Sequence, residues 1–169
     1  MIGHHGTNQE LAKSILINGF NKSHGEQWFG DGVYFFEDDP LEAKDWAIKV
    51  KCFVRNWAVL RANITTEADR ILDLNKKKAW RQFIEIRETL TLGKQNTKYK
   101  DKVANDAFTI DYMCKKFEKL TGDRVDLVKC TLEVPGYEWT SSVTNLKRVQ
   151  SQICVRNLKC IDNVIEEAV

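Results

Sequence analysis

The chain has 169 residues, 43% of them hydrophobic and 30% charged, with a net charge of +2. That length and balance fit one globular domain spanning 1–169 with a sizeable core, and argue against a disordered or fibrous chain. No apolar run approaches the length that a bilayer demands, and no charged-then-apolar leader opens the sequence, so the expectation is a cytoplasmic protein without membrane partners.

Residues 1 to 5 read as a short buried strand. A helix follows, with Leu11, Ala12, Ile15 and Leu16 at helical spacing, Thr7 and Glu10 as a capping box, and Gly19 as the stop. The polar stretch "NKSHGEQ" leads into "WFGDGVYFFEDDP", in which Gly30 and Gly32 flank Asp31 and "VYFF" predicts a strand. Asp39, Pro40 and Glu42 combine an N-cap, a first-turn proline and a capping-box glutamate, and the helix they start carries a stripe of Ala43, Trp46, Ala47 and Val50.

"NWAVLRANI" and "RILDL" predict two further extended segments, and Lys76 to Leu120 is mostly helical in pattern, with a break near "TLGKQNTKYKD". "RVDLVKCTLEV" and "SQICVRNLKCI" each predict a strand. Strands at both ends with helices between them make an α+β domain, its sheet assembled from distant segments.

Five cysteines, none in a CxxC pair, and three histidines far from most of them give no metal-ligand pattern, so the expectation is reduced, packed thiols and no metal. Between Asn75 and Lys102 nine basic residues face three acidic ones, a local +6 against −4 for the remainder. With Trp80, Phe83 and Tyr99 interleaved, that segment suits an anionic partner such as nucleic acid, although Trp80, Phe83, Ile84 and Arg87 also fit an amphipathic helix with a basic outer face.

Three pieces stand in order: "HHGT" at a strand end, "GDGVYFF" about thirty residues on, and "QICVRN" near the C-terminus, with "SILINGF" after the first and "AKDWA" after the second. Together they resemble the ADP-ribosyltransferase superfamily of the diphtheria-toxin and poly(ADP-ribose) polymerase type. The resemblance implies a split β-sheet core with helices packed around it. It implies NAD as substrate, bent in a cleft.

His5, Gly6 and Thr7 would form the clamp at the strand end. His5 would donate to a ribose hydroxyl, and Gly6 would let the backbone approach the nicotinamide carboxamide. His4, by strand alternation, should point away as a packing or surface residue. Tyr34 matches the tyrosine that stacks on nicotinamide, and Trp46 the second aromatic of that sandwich; both also suit a plain core position.

The family places a glutamate where this chain has Gln152. A carboxylate there would stabilise the oxocarbenium-like charge that develops as the glycosidic bond breaks. Glutamine offers a carbonyl oxygen and no full charge. Glu133 and Glu138 are distant candidates for a substitute.

The resemblance therefore implies a mono-ADP-ribosyltransferase of bacterial-toxin or antiviral-defence style, acting on a nucleic acid or protein acceptor, nucleic acid favoured, with an antitoxin a compatible partner. The alternatives are a catalytically silent module that binds NAD or ADP-ribose, and an NAD glycohydrolase.

Overall fold

The computed structural model describes residues 1–24, 28–92, 102–133 and 149–169. Among the described residues, seven strands and four α-helices follow one another as β1 (Ile2–Asn8), α1 (Gln9–Asn18), β2 (Val33–Glu37), α2 (Pro40–Asp45), β3 (Trp57–Ile64), β4 (Ile71–Asp73), α3 (Lys77–Leu92), α4 (Lys102–Thr121), β5 (Leu127–Glu133), β6 (Val149–Val155) and β7 (Ile161–Glu167). They form one α+β unit around a seven-stranded sheet of order β4-β5-β6-β2-β1-β3-β7. Among the described strands β4 and β5 pair in parallel and the other pairs are antiparallel.

The sheet is continuous in hydrogen bonding, yet its central seam is short. β1 pairs with β3 along seven positions, from Ile2–Asn63 to Asn8–Trp57, whereas it meets β2 only at Gly3–Glu37 and His4–Phe36. Beyond His4 the two central strands part, and the sheet opens as a fork. β2 stays on its other neighbour, β6, from Val33–Val155 to Phe36–Gln152.

Apolar side chains hold each face. α1 lays Ala12 and Ile15 over Phe35, Leu60, Ala62, Ile153 and Val155, and full burial of one such side chain stabilises by about 2 kcal/mol. On the opposite face, Phe83 of α3 and Ile110, Met113 and Cys114 of α4 pack on Val128, Cys130 and Cys154. Four cysteines are buried and Cys52 is exposed, with all five thiols free.

Two local expectations need correction. The N-cap of α1 is Asn8, whose side chain accepts from the Leu11 amide at 2.8 Å; Thr7 is instead buried in β1 opposite Ala58, so cross-strand pairing commits its backbone to the sheet. "SQICVRNLKCI" is not one strand. At its middle the Arg156 and Asn157 amides both donate to the Asp126 carbonyl, and Asn157 caps a single turn over Leu158–Cys160. The chain then crosses to the far edge of the sheet as β7, a strand the sequence reading did not separate.

Candidate functional site

A cavity of about 410 Å³ occupies the fork between β1 and β2. His5, Gly6 and Thr7 line it from β1, Tyr34 and Phe36 from β2, Gln152 from β6, and Trp46 from the turn after α2. All six residues that the sequence nominated therefore reach one cavity, together with Trp28, Lys51 and Phe53, which it did not nominate. His4 points away, as alternation predicts: it is buried, with Nε2 2.8 Å from a Glu167 carboxylate oxygen.

His5 replaces the missing ladder. Its Nδ1 lies 2.8 Å from the Tyr34 carbonyl oxygen, bridging the strands where backbone pairing has stopped. A carbonyl can only accept, so Nδ1 carries the hydrogen. Burial, and less strongly the charge of Lys51, hold the ring's pKa below its ordinary 6.5, although the bond to Tyr34 opposes them. The neutral ring then leaves Nε2 as an acceptor. This reverses the direction expected from sequence: a ligand hydroxyl would donate to His5, not accept from it. Edge contacts with Phe20 at 5.3 Å and Phe35 at 5.8 Å fix the ring.

Gly6 has a structural reason of its own. A Cβ there would run into the Ala43 carbonyl of α2. Gly6→Ala should therefore destabilise by about 2 kcal/mol, because backbone of a packed helix yields poorly, and lower the melting temperature by roughly 4–8 °C in a chain of this size. An unchanged melting temperature would mean that α2 yields freely.

Tyr34 packs its ring with Phe29 against the cluster under α3 and α4, and its hydroxyl is fully engaged. The hydroxyl donates to the Gly30 carbonyl at 2.7 Å and accepts from the Phe29 amide at 2.9 Å, and burial pushes the phenol far above its usual range. Phe29 stacks on the ring at 6.0 Å with planes 16° apart. Proton transfer through this hydroxyl is thus disfavoured, and these contacts pin the ring in place. Gly30 permits the loop by adopting φ 79°, a left-handed conformation costly to other residues.

Trp46 is half-buried beside Phe36, with ring centroids 6.1 Å apart. It serves as a packing residue and as cavity wall at once. α2 begins as its caps predict, the Asp39 side chain accepting from the Glu42 amide at 3.0 Å with Pro40 in the first turn. It then widens into a π-helical turn over Trp46–Val50, which leaves Val50 exposed rather than on the buried stripe.

Gln152 is buried between Phe36 and Cys130 on the neighbouring strands. Among the described residues lining the cavity there is no carboxylate, and Lys51 is the one with a formal charge. Glu133 is exposed at the end of β5 and does not line the cavity; Glu138 lies outside the described residues. Glu37, which follows the cavity-lining Phe36 on β2, is engaged elsewhere. Burial pushes its pKa up, but hydrogen bonds from Lys129 (2.6 Å) and Ser151 (2.8 Å) outweigh this and keep it below the usual range.

No family model matches this chain, and no solved structure does. The sequence is 28% identical over 139 residues to an uncharacterized protein of Methanocaldococcus jannaschii, covering 78% of this chain and 64% of that protein. The chain thus spans less than two thirds of the relative's length.

The basic segment divides into an exposed part and a packed part. Lys76, Lys77, Lys78 and Arg81 are exposed at the start of α3 beside the half-exposed Trp80. Phe83 turns inward to the core, so it offers no stacking surface, and Arg87 pairs with Asp106 at 2.8 Å. Tyr99 lies outside the described residues. No helix among the described residues is long and apolar enough to cross a membrane.

Proposed function

We propose that the chain is an NAD-dependent mono-ADP-ribosyltransferase with an ADP-ribosyltransferase-like core, its cleft being the fork between β1 and β2. The observation that carries this reading is convergence: His5, Tyr34 and Gln152, from strands far apart in sequence, line one cavity in the order that the resemblance implies. In this reading Nε2 of His5 accepts from a ribose hydroxyl, the Tyr34 ring supports the nicotinamide, and the Gln152 carbonyl oxygen accepts from the second ribose. Cleavage breaks the bond from C1′ to the nicotinamide nitrogen, whose electron pair leaves with nicotinamide, and an acceptor nucleophile forms the new bond to C1′ and loses its proton.

The acceptor is a nucleic acid or a protein, and the exposed lysines and Trp80 of α3 favour nucleic acid. A toxin or antiviral-defence role, with an antitoxin and a cytoplasmic setting, belongs to the same reading.

A second reading has its own support. The lack of a carboxylate among the described cavity residues favours a module that binds NAD or ADP-ribose without turning it over. Incubation with labelled NAD and lysate fractions of protein, RNA and DNA separates these. Label on one fraction supports the transferase, and free ADP-ribose alone supports a glycohydrolase. No turnover, with NAD raising the melting temperature, supports the silent module. No turnover and no binding would overturn all three.

A further inference from the structure

The segment after α2 shows how one cation comes to face the cavity. In the π-helical turn the Lys51 amide bonds to the Trp46 carbonyl at 3.0 Å, a five-residue step in place of the usual four. Such widened turns are rare and recur at functional sites. The next residue, Cys52, holds φ 59°, a left-handed conformation disfavoured for any residue with a Cβ. Phe53 then bonds back to the Ala47 carbonyl at 2.9 Å.

The result is that Trp46, Lys51 and Phe53 all line the cavity, with the Lys51 ammonium 5.9 Å from the Trp46 ring centroid. A regular α-helix would not bring residues five apart onto one face. Lys51 meets no carboxylate among the described residues of the cavity wall. Its charge also reaches His5 across the cavity, contributing to the lowering of that ring's pKa.

Lys51 is an exposed residue, and its ammonium, in a wall whose other described residues are uncharged, offers a partner to an anionic ligand group. We propose that Lys51 is the specificity-determining residue of the cavity and that it holds a phosphoryl oxygen of the ligand, selecting pyrophosphate-bearing nucleotides over their nucleosides. This rests on the NAD reading of the same cavity and adds to it the residue that reads the phosphates. The widened turn and the left-handed Cys52 are then the backbone cost of aiming that residue, not irregularities of packing.

Isothermal titration of the whole chain with NAD and with nicotinamide riboside, which lacks the pyrophosphate, tests it. Lys51→Ala should weaken NAD binding about tenfold, the scale of one charge-assisted contact, while leaving nicotinamide riboside unaffected. Lys51→Arg should restore most of the loss. Lys49→Ala, which removes an exposed lysine of the same turn that does not line the cavity, should behave as wild type. The NAD affinity of wild type should also fall more steeply with added salt than that of Lys51→Ala. Equal loss for both ligands, or none for either, would overturn the assignment of Lys51 while leaving the NAD reading in place. Wild type that binds neither ligand would overturn both.

Discussion

Replacing Gln152 by glutamate should raise NAD cleavage about a hundredfold, the scale on which one preorganised electrostatic group acts on a developing charge. The side chain lies buried in β6, lines the cavity, and shares the wall with no carboxylate among the described residues. In cleavage of the bond to nicotinamide, positive charge spreads over C1′ and the ring oxygen. A glutamine dipole stabilises it weakly, whereas a carboxylate does so with a full charge in a poorly hydrated site.

Burial would push the new carboxyl's pKa up, and the charge of Lys51, which lines the same cavity, would oppose that rise. The Gln152→Glu rate at saturating NAD should therefore climb with pH as the glutamate ionises, a limb beyond the loss of binding that His5 protonation causes in wild type and variant alike. Nicotinamide release measured from pH 5 to pH 8 checks both features. A flat or lower rate in the variant would mean that Gln152 is suited to its own chemistry, or that the cavity serves binding alone.

How much of this was legible in the chain follows from how local each feature is. β2 and the start of α2 are written in adjacent residues: the aromatic run "VYFF", then Asp39, Pro40 and Glu42 as cap, first turn and acidic partner, and both form as their residues dictate. The convergence of His5, Tyr34 and Gln152 was legible only through the order of motifs, since no local rule links residues so far apart.

Other features depend on partners that sequence does not display. Thr7 and Asn8 are both competent caps, and the pairing of Thr7 with Ala58 decides for Asn8. The hydrogen of His5 is set by the Tyr34 carbonyl, twenty-nine residues away. Lys51 reads as one more surface lysine until a five-residue turn brings it onto the face of Trp46. β7 is hard to read in the chain because this edge strand shows no two-residue alternation of burial, and because the break before it is made by the Asp126 carbonyl rather than by glycine or proline.

The tautomer of His5 leads to a pair of variants that should part company. In His5→Asn the amide nitrogen can occupy the place of Nδ1 and still donate to the Tyr34 carbonyl, while nothing stands in for Nε2. That variant should keep the melting temperature of wild type and lose about thirtyfold in NAD affinity, the scale of a hydrogen bond made in a desolvated site. His5→Ala should lose both, because the Tyr34 carbonyl at the fork then has no donor.

Acid should reproduce part of this. The folded ring has a pKa below its ordinary 6.5, so the unfolded chain takes up a proton first as pH falls. Stability from a neutral His5 is then fully present above pH 6.5 and is lost between 6.5 and the lower folded value. Wild type should melt at progressively lower temperature across that window relative to His5→Asn. NAD binding should persist further into acid than stability does, failing only as pH falls through the folded value, where protonation removes the acceptor at Nε2. If His5→Asn binds NAD as wild type does, His5 is a tie between two central strands and the cavity reads its ligand by other means.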